Sequence, residues 1–236
     1  MEIEKSNGVY RSMSDVKILA IESSGINSGI AIGNETELIY ESSLYLKHSH
    51  DETLAHQIKQ TIDLLSIEID NFSAIAISSG PGSFTGLRVG SAIAKGLTFG
   101  NHPKLIDIPT MSGFAIAAKE FALSVKAKKI IVIIPSNRGY FFIQEFLTSS
   151  EPITEPTLLS KEEILNIDLH SNVVCGSGAT EFVGNNYQLS GLNRLTPRFI
   201  LKFAQLKFEK QEFIKSEDFK PQYYQDFTPT QKKVDK

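Results

Sequence analysis

A chain of 236 residues is long enough for one large domain or two small ones, since domains cluster at roughly 100–150 residues. Its 24 Lys and Arg against 27 Asp and Glu give a net charge of −3 and an isoelectric point near 6.0, which excludes a protein that grips nucleic acid by charge alone. The single Cys175 excludes an internal disulfide and a multi-cysteine zinc site, no apolar run approaches the about 18–20 residues of a bilayer span, and the polar first 14 residues do not read as a secretory signal. Together these features predict a soluble cytoplasmic protein with no membrane role.

The apolar pattern begins at Val16. Residues 1–12 read as a disordered extension or as sequence ahead of a start at Met13, and 1–15 are set aside from the fold. Residues 17–23 form a β-rich run, Gly25-Ile26-Asn27-Ser28 a turn, 29–32 a second strand and 37–46 a third. Ser49-His50-Asp51-Glu52 has the spacing of a capping box and leads into Leu54, Ile58, Ile62 and Leu65, which share one helical face and predict a helix over 50–66. A buried strand follows at 73–78, a turn at 80–83, a helix at 84–99, a strand at 105–108 and a helix at 111–125.

The order then restarts. Residues 129–134 and 140–147 flank the Asn137-Arg138-Gly139 turn, with a third strand at 153–159, short helices at 161–166 and 178–184, and a strand at 172–175. Thr196-Pro197 opens a long helix whose core stripe is expected to be Phe199, Ile200, Phe203, Ala204 and Leu206. A βββαβα unit repeated in this way is an α/β fold of two ribonuclease-H-like lobes with mixed sheets, as in the actin, Hsp70 and sugar-kinase (ASKHA) group. The expected division is a first lobe over 16–108, a second, degenerate lobe over 109–220 whose last helix can cross back, and a tail over 221–236.

One segment is dense in unusual residues: Ser79-Gly80-Pro81-Gly82-Ser83-Phe84-Thr85-Gly86-Leu87-Arg88-Val89-Gly90. A glycine-rich turn between a strand and a helix can cradle an anion, yet no Lys completes a P-loop, and Thr85 stands where a dinucleotide fingerprint needs Gly. Gly86, Gly90 and Ala94 instead leave a groove without side-chain bulk. Each mid-helix Gly costs about 1 kcal/mol against Ala, so the groove calls for close packing, either against this chain's own sheet or against another chain.

The runs ILAIESSG, SGIAI, HDETLAHQI and SSGPGSFTGLRVGSAIAKGLTFG, in this order and spacing, resemble the TsaB (YeaZ) family over 16–125. Lys220-Pro221-Gln222-Tyr223-Tyr224 is similar to the family's closing segment. The second hairpin departs from the family: Pro135-Ser136-Asn137 replaces the usual Asp-Ala-Arg before Arg138-Gly139. The resemblance implies a non-catalytic partner in the threonylcarbamoylation of adenosine 37 of tRNA, requiring no cofactor or metal. Its implied partners are a TsaD-type catalytic paralogue and a TsaE-type ATPase, with tRNA contacted indirectly or within the complex. The implied partner interface is Gly80, Pro81, Gly82, Ser83, Phe84, Thr85, Gly86, Leu87, Arg88 and Gly90 on the helices of the first lobe, and the same helices would also support a homodimer. Glu22 and Ser23, at the end of the first strand, are where a vestigial nucleotide site would lie.

In the catalytic relative two metal-binding histidines, four residues apart, open the helix after the fifth strand. The resemblance sets Thr110 and Phe114 at those places, and neither replaces an imidazole ligand. His48, His50, His56, His102 and His170 show no ligand spacing, and Cys175 in an apolar strand reads as a buried small hydrophobe. The competing readings are an ATP-binding or ATP-hydrolysing enzyme of the actin-like fold and a metallopeptidase.

Overall fold

The structure is a computed structural model, and it describes residues 16–45, 50–100 and 102–222. The extension at 1–15, His48, the side chains of the expected capping box, Tyr223, Tyr224 and all but two residues of the 221–236 tail lie outside the described residues.

Alternation within short apolar runs builds the first sheet. In β1 (Ile18–Glu22), Ile18 and Ala20 point to one face and Leu19 and Ile21 to the other, and every residue of the strand is buried because both faces are covered. β2 (Ser28–Gly33) returns antiparallel, β3 (Leu38–Leu44) forms an edge, and β4 (Ala74–Ser78) and β5 (Lys104–Ile108) add in parallel, giving the order β3-β2-β1-β4-β5. α1 (His50–Leu65) and α2 (Phe84–Leu97) lie together on the outer face, where Leu54, Ile58 and Ala94 pack on Leu19, Ile21, Ile30, Ile75 and Ile77.

The second sheet repeats the plan with less of it. β6 (Ile130–Pro135), β7 (Tyr140–Phe146), β8 (Thr157–Ser160) and β9 (Val173–Cys175) take the order β8-β7-β6-β9, which is the first sheet without its fifth strand. A single parallel bridge from Tyr187 to Val173 stands where that strand would run. The short α4 (Lys161–Leu165) starts from a capping box between Ser160 and Glu163, whose carboxyl accepts the Ser160 N–H and is held below the usual carboxylate range. The expected helix at 178–184 is a single 3-10 turn over Ala179–Glu181.

The lobes meet through two helices between the sheets. α3 (Thr110–Ser124) packs Met111, Phe114, Ala115 and Ala118 toward the second sheet, and α5 (Pro197–Glu209) crosses back onto the first. Asn27 Nδ2 donates to Leu195 O at 2.7 Å, and Arg198 donates from N and Nε to the two carboxylate oxygens of Glu41 on β3, fixing the start of α5. Residues 197–222, which the sequence reading places in the second lobe and tail, therefore pack on the first sheet: Ile214 bridges to Leu105, and Phe219 is buried in the outer-face core.

The α5 stripe also differs from expectation. Leu206 is 46% exposed, while Leu201, absent from the expected stripe, is 2% exposed. The buried face runs through Pro197, Ile200, Leu201 and Ala204 at helical i, i+3, i+4 and i+7 spacing, which turns Leu206 outward and leaves Phe199 and Phe203 on the flanks. Leu201→Ala is expected to cost about 2–5 kcal/mol in urea unfolding, and Leu206→Ala less than about 0.5 kcal/mol.

Candidate functional site

The glycine-rich turn is assembled from three directions. As β4 ends, the Ser79 N–H donates to Ile108 O at 2.8 Å. Gly80 has φ +111, a conformation side chains resist, and its N–H donates to Thr110 Oγ1 at 3.1 Å while Thr110 N–H donates back to Gly80 O at 2.8 Å. Gln222 N–H donates to Ser79 O at 2.7 Å, so the end of the described chain closes over the same turn. Ser83 then caps α2: its Oγ accepts from Gly86 N–H at 3.2 Å, and its own N–H donates to Ser24 O at 2.7 Å.

The small-residue groove is filled by this chain itself. A Cβ on Gly82 would lie 2.2 Å from Ser24 O, one on Gly86 2.0 Å from Ser23 O, and one on Gly90 2.2 Å from Ser23 Oγ. Of the two readings of the groove, packing against the chain's own sheet is the correct one. It follows that Gly80, Pro81, Gly86, Leu87 and Gly90 are buried and offer no surface to a partner; Leu87, at 1% exposed, sets its side chain against Gly80. Within the expected interface, Gly82, Phe84, Thr85 and Arg88 are exposed and Ser83 is half-buried. The Arg88 guanidinium sits 5.3 Å from the Phe84 ring centroid, a cation–π pair that holds both at the surface. Phe99 projects beyond the end of α2 at 88% exposed, while the exposed His56, Gln60 and Leu64 of α1 turn toward the edge strand β3.

Part of the donor set of the turn is already used within the chain. Ser83, Gly86 and Leu87 already donate their N–H groups inside the chain, the last to Ser83 O at 2.8 Å. Glu22 and Ser23 are completely buried, so neither lines an accessible nucleotide cleft. Glu22 Oε1 accepts from Ser24 N at 2.7 Å and from Ser24 Oγ at 2.6 Å, while Oε2 is buried without a hydrogen-bond partner. Burial raises its pKa from 4.5 to about 7, against the opposing pull of those hydrogen bonds. Its structural effect is to hold Ser24, whose carbonyl receives Ser83. Ser23 Oγ lies under Gly90, without a partner.

The positions set against metal ligands have other roles. Thr110 grips Gly80, and Phe114 belongs to the interlobe core. Among the described residues, no three His, Cys, Asp or Glu gather as a metal site requires, and no helix is long and apolar enough to cross a membrane. His170 Nδ1 lies 3.1 Å from Asn185 O, and the Cys175 thiol is buried and pushed up from its usual range by desolvation. In the divergent hairpin Arg138 is exposed with φ 58, and the hairpin closes through Ser136 N–H to Tyr140 O at 2.8 Å.

Sequence reasoning missed a 420 Å³ groove between α1 and the edge strand β3, lined by Tyr40, Ser42, Leu44, His56, Gln57 and Leu64 among others. Its signal was available: Gln57 and Thr61 are polar residues four apart beside the apolar stripe of α1, and Gln57 Nε2 reaches back to Ser42 Oγ at 2.7 Å.

Two substitutions at glycines of the same helix separate packing from propensity. Gly96 has open space around its Cβ position, so Gly96→Ala is expected to stabilise by about 0.5–1 kcal/mol. In Gly86→Ala the same gain is outweighed by a backbone clash costing at least about 1–3 kcal/mol, so the midpoint of denaturation falls. A third test concerns pH. The folded chain keeps the Glu22 proton to about pH 7, whereas the unfolded chain releases it near 4.5. The carboxyl's contribution is therefore fully favourable below 4.5 and is lost as pH rises to about 7. Between pH 5 and 8 the wild type should lose up to about 3 kcal/mol relative to Glu22→Gln in paired denaturation curves.

Comparison with known proteins agrees with this geometry. The family model described as TsaD, tRNA N6-adenosine threonylcarbamoyltransferase, matches residues 45–192, more than half of the chain. The tRNA threonylcarbamoyladenosine biosynthesis protein TsaB of Haemophilus influenzae is 24% identical over 89% of this chain and 94% of its own length. The Bacillus subtilis protein of the same name is 34% identical over 39% of this chain and 38% of its own length. Among solved structures, YeaZ from Pseudomonas aeruginosa superposes with a TM-score of 0.75 at 18% identity, covering 88% of this chain and 99% of that one, a likeness of fold. With its two-lobed fold, its glycine-packed second helix and a family model spanning most of both lobes, the chain belongs to the TsaB (YeaZ) family.

Proposed function

We propose that this chain is a non-catalytic partner subunit in tRNA threonylcarbamoyladenosine biosynthesis, docking on a TsaD-type catalytic paralogue. The observation that carries the non-catalytic reading is the use made of Thr110 and Phe114. Where the catalytic relative places its metal ligands, this chain has one side chain committed to the Gly80 turn and one committed to the core. The buried Glu22 supports the same reading, since a carboxyl with no access to solvent cannot order a metal–nucleotide complex.

The docking surface is the exposed side of α1 and α2. Phe84 and Arg88 supply an aromatic and a cationic anchor of the kind that dominates interface cores. Two helices meeting the corresponding pair of a paralogue make a four-helix bundle, which buries apolar stripes efficiently. The same face pairing with its own copy would give a C2 homodimer in competition with the heterodimer. A TsaE-type ATPase then joins the pair, tRNA is contacted within the complex, and no cofactor is held by this subunit.

Reconstitution tests the proposal. Supplied with threonylcarbamoyl-adenylate and tRNA, the chain alone should produce no modified adenosine, and adding the catalytic paralogue should produce it. Phe84→Ala combined with Arg88→Glu should weaken binding to that paralogue by about 100-fold, as expected for the loss of two central anchors, with an unchanged circular dichroism spectrum. Modification by the chain alone would contradict the non-catalytic reading, and wild-type affinity in the folded double variant would contradict the docking face.

A further inference from the structure

We infer that Thr110 is a positioning residue for the docking end of α2, acting through the Gly80 turn; the inference rests on the docking face proposed above. Thr110 is the first residue of α3, its side chain caps nothing in that helix, and the preceding Pro109 makes no side-chain cap. A β-branched residue is not needed there for helix formation. Its hydroxyl oxygen instead accepts from Gly80 N–H at 3.1 Å, and its backbone N–H donates to Gly80 O at 2.8 Å. One residue thus satisfies both backbone groups of the residue whose φ of +111 sets the direction of the turn.

That clamp is close to the surface it would control. Pro81, Gly82 and Ser83 alone separate Gly80 from Phe84, and the next tie along the chain is Ser83 N–H to Ser24 O at 2.7 Å. The start of α2 is therefore fixed at two points, Ser24 on one side and Thr110 on the other. Without the Thr110 hydroxyl, the Gly80 N–H would be buried with no acceptor, and the turn would have to move to find one. Such a shift passes into Phe84 and Arg88, while Thr110 itself, at 1% exposed, cannot touch a partner.

The test compares Thr110→Val, which keeps the shape and removes the hydroxyl, with Thr110→Ser, which keeps the hydroxyl. Binding to the catalytic paralogue is measured by titration calorimetry, and backbone amide shifts of the free proteins by NMR. Thr110→Val should bind about tenfold more weakly, because a turn displaced in the free protein must be restored on docking at roughly the cost of one buried hydrogen bond, and should shift the amides of residues 82–88. Thr110→Ser should stay within about twofold of wild type, by the same reasoning. Thr110→Ala takes the place of the valine variant if the latter does not fold. Wild-type affinity in the hydroxyl-free variant, equal defects in the serine and valine variants, or failure of both hydroxyl-free variants to fold would overturn the inference. If the wild-type chain does not bind the paralogue, the docking reading fails, and the amide shifts still decide the positioning role: shifts confined to Gly80 would overturn it.

Discussion

The constraint on which this structure depends is the contact between the first two turns of α2 and the backbone at the end of β1. Gly82, Gly86 and Gly90 let the helix approach Ser23 and Ser24 so closely that a single methyl on Gly86 would overlap Ser23 O. This depth lays α2 flat on the sheet beside α1 and drives Leu87 inward, leaving Phe84 and Arg88 outside. It also explains the buried acid. Ser24 must present its carbonyl to Ser83 N–H, and the Glu22 carboxyl holds Ser24 by two hydrogen bonds. The cost is a carboxyl kept out of water with one oxygen unpaired, tolerated because it stays protonated toward neutral pH.

The two lobes share one interior. α3 begins in the Gly80 turn of the first lobe and packs on the second sheet, while α5 follows the second sheet in the chain and packs on the first. Exchange of helices in this way makes the interlobe core continuous, and it stiffens the first sheet from behind while α1 and α2 cover its front. The second sheet, reduced to four strands with one residue of a fifth, keeps the strands that α3 needs to rest on.

Much of the first half was legible because its elements are fixed by local pattern. Alternation gave β1, β2 and β4, the spacing of Leu54 and Ile58 gave α1, and the Ser83 cap with its glycine turn gave the start of α2. What was not legible depends on contacts far apart in sequence. An acid ending a buried strand looks like a cleft residue until its carboxyl is seen buried and bonded to Ser24. The stripe of α5 was shifted because Phe199 and Phe203 are apolar on the flank of the buried face and Leu206 is apolar beyond it, facing solvent. The glycine groove was visible in sequence, but its occupant was not, since Ser23 and Ser24 lie some sixty residues earlier and carry no apolar signal.

The central claim is that the outer side of α1 and α2 is where this chain meets its catalytic paralogue. Hydrogen–deuterium exchange of the full chain, alone and mixed with that paralogue, tests it most directly. The account predicts added protection at the start of α2 and along α1, with the second sheet unchanged. Protection confined to the second lobe, with α1 and α2 exchanging as in the free protein, would contradict it.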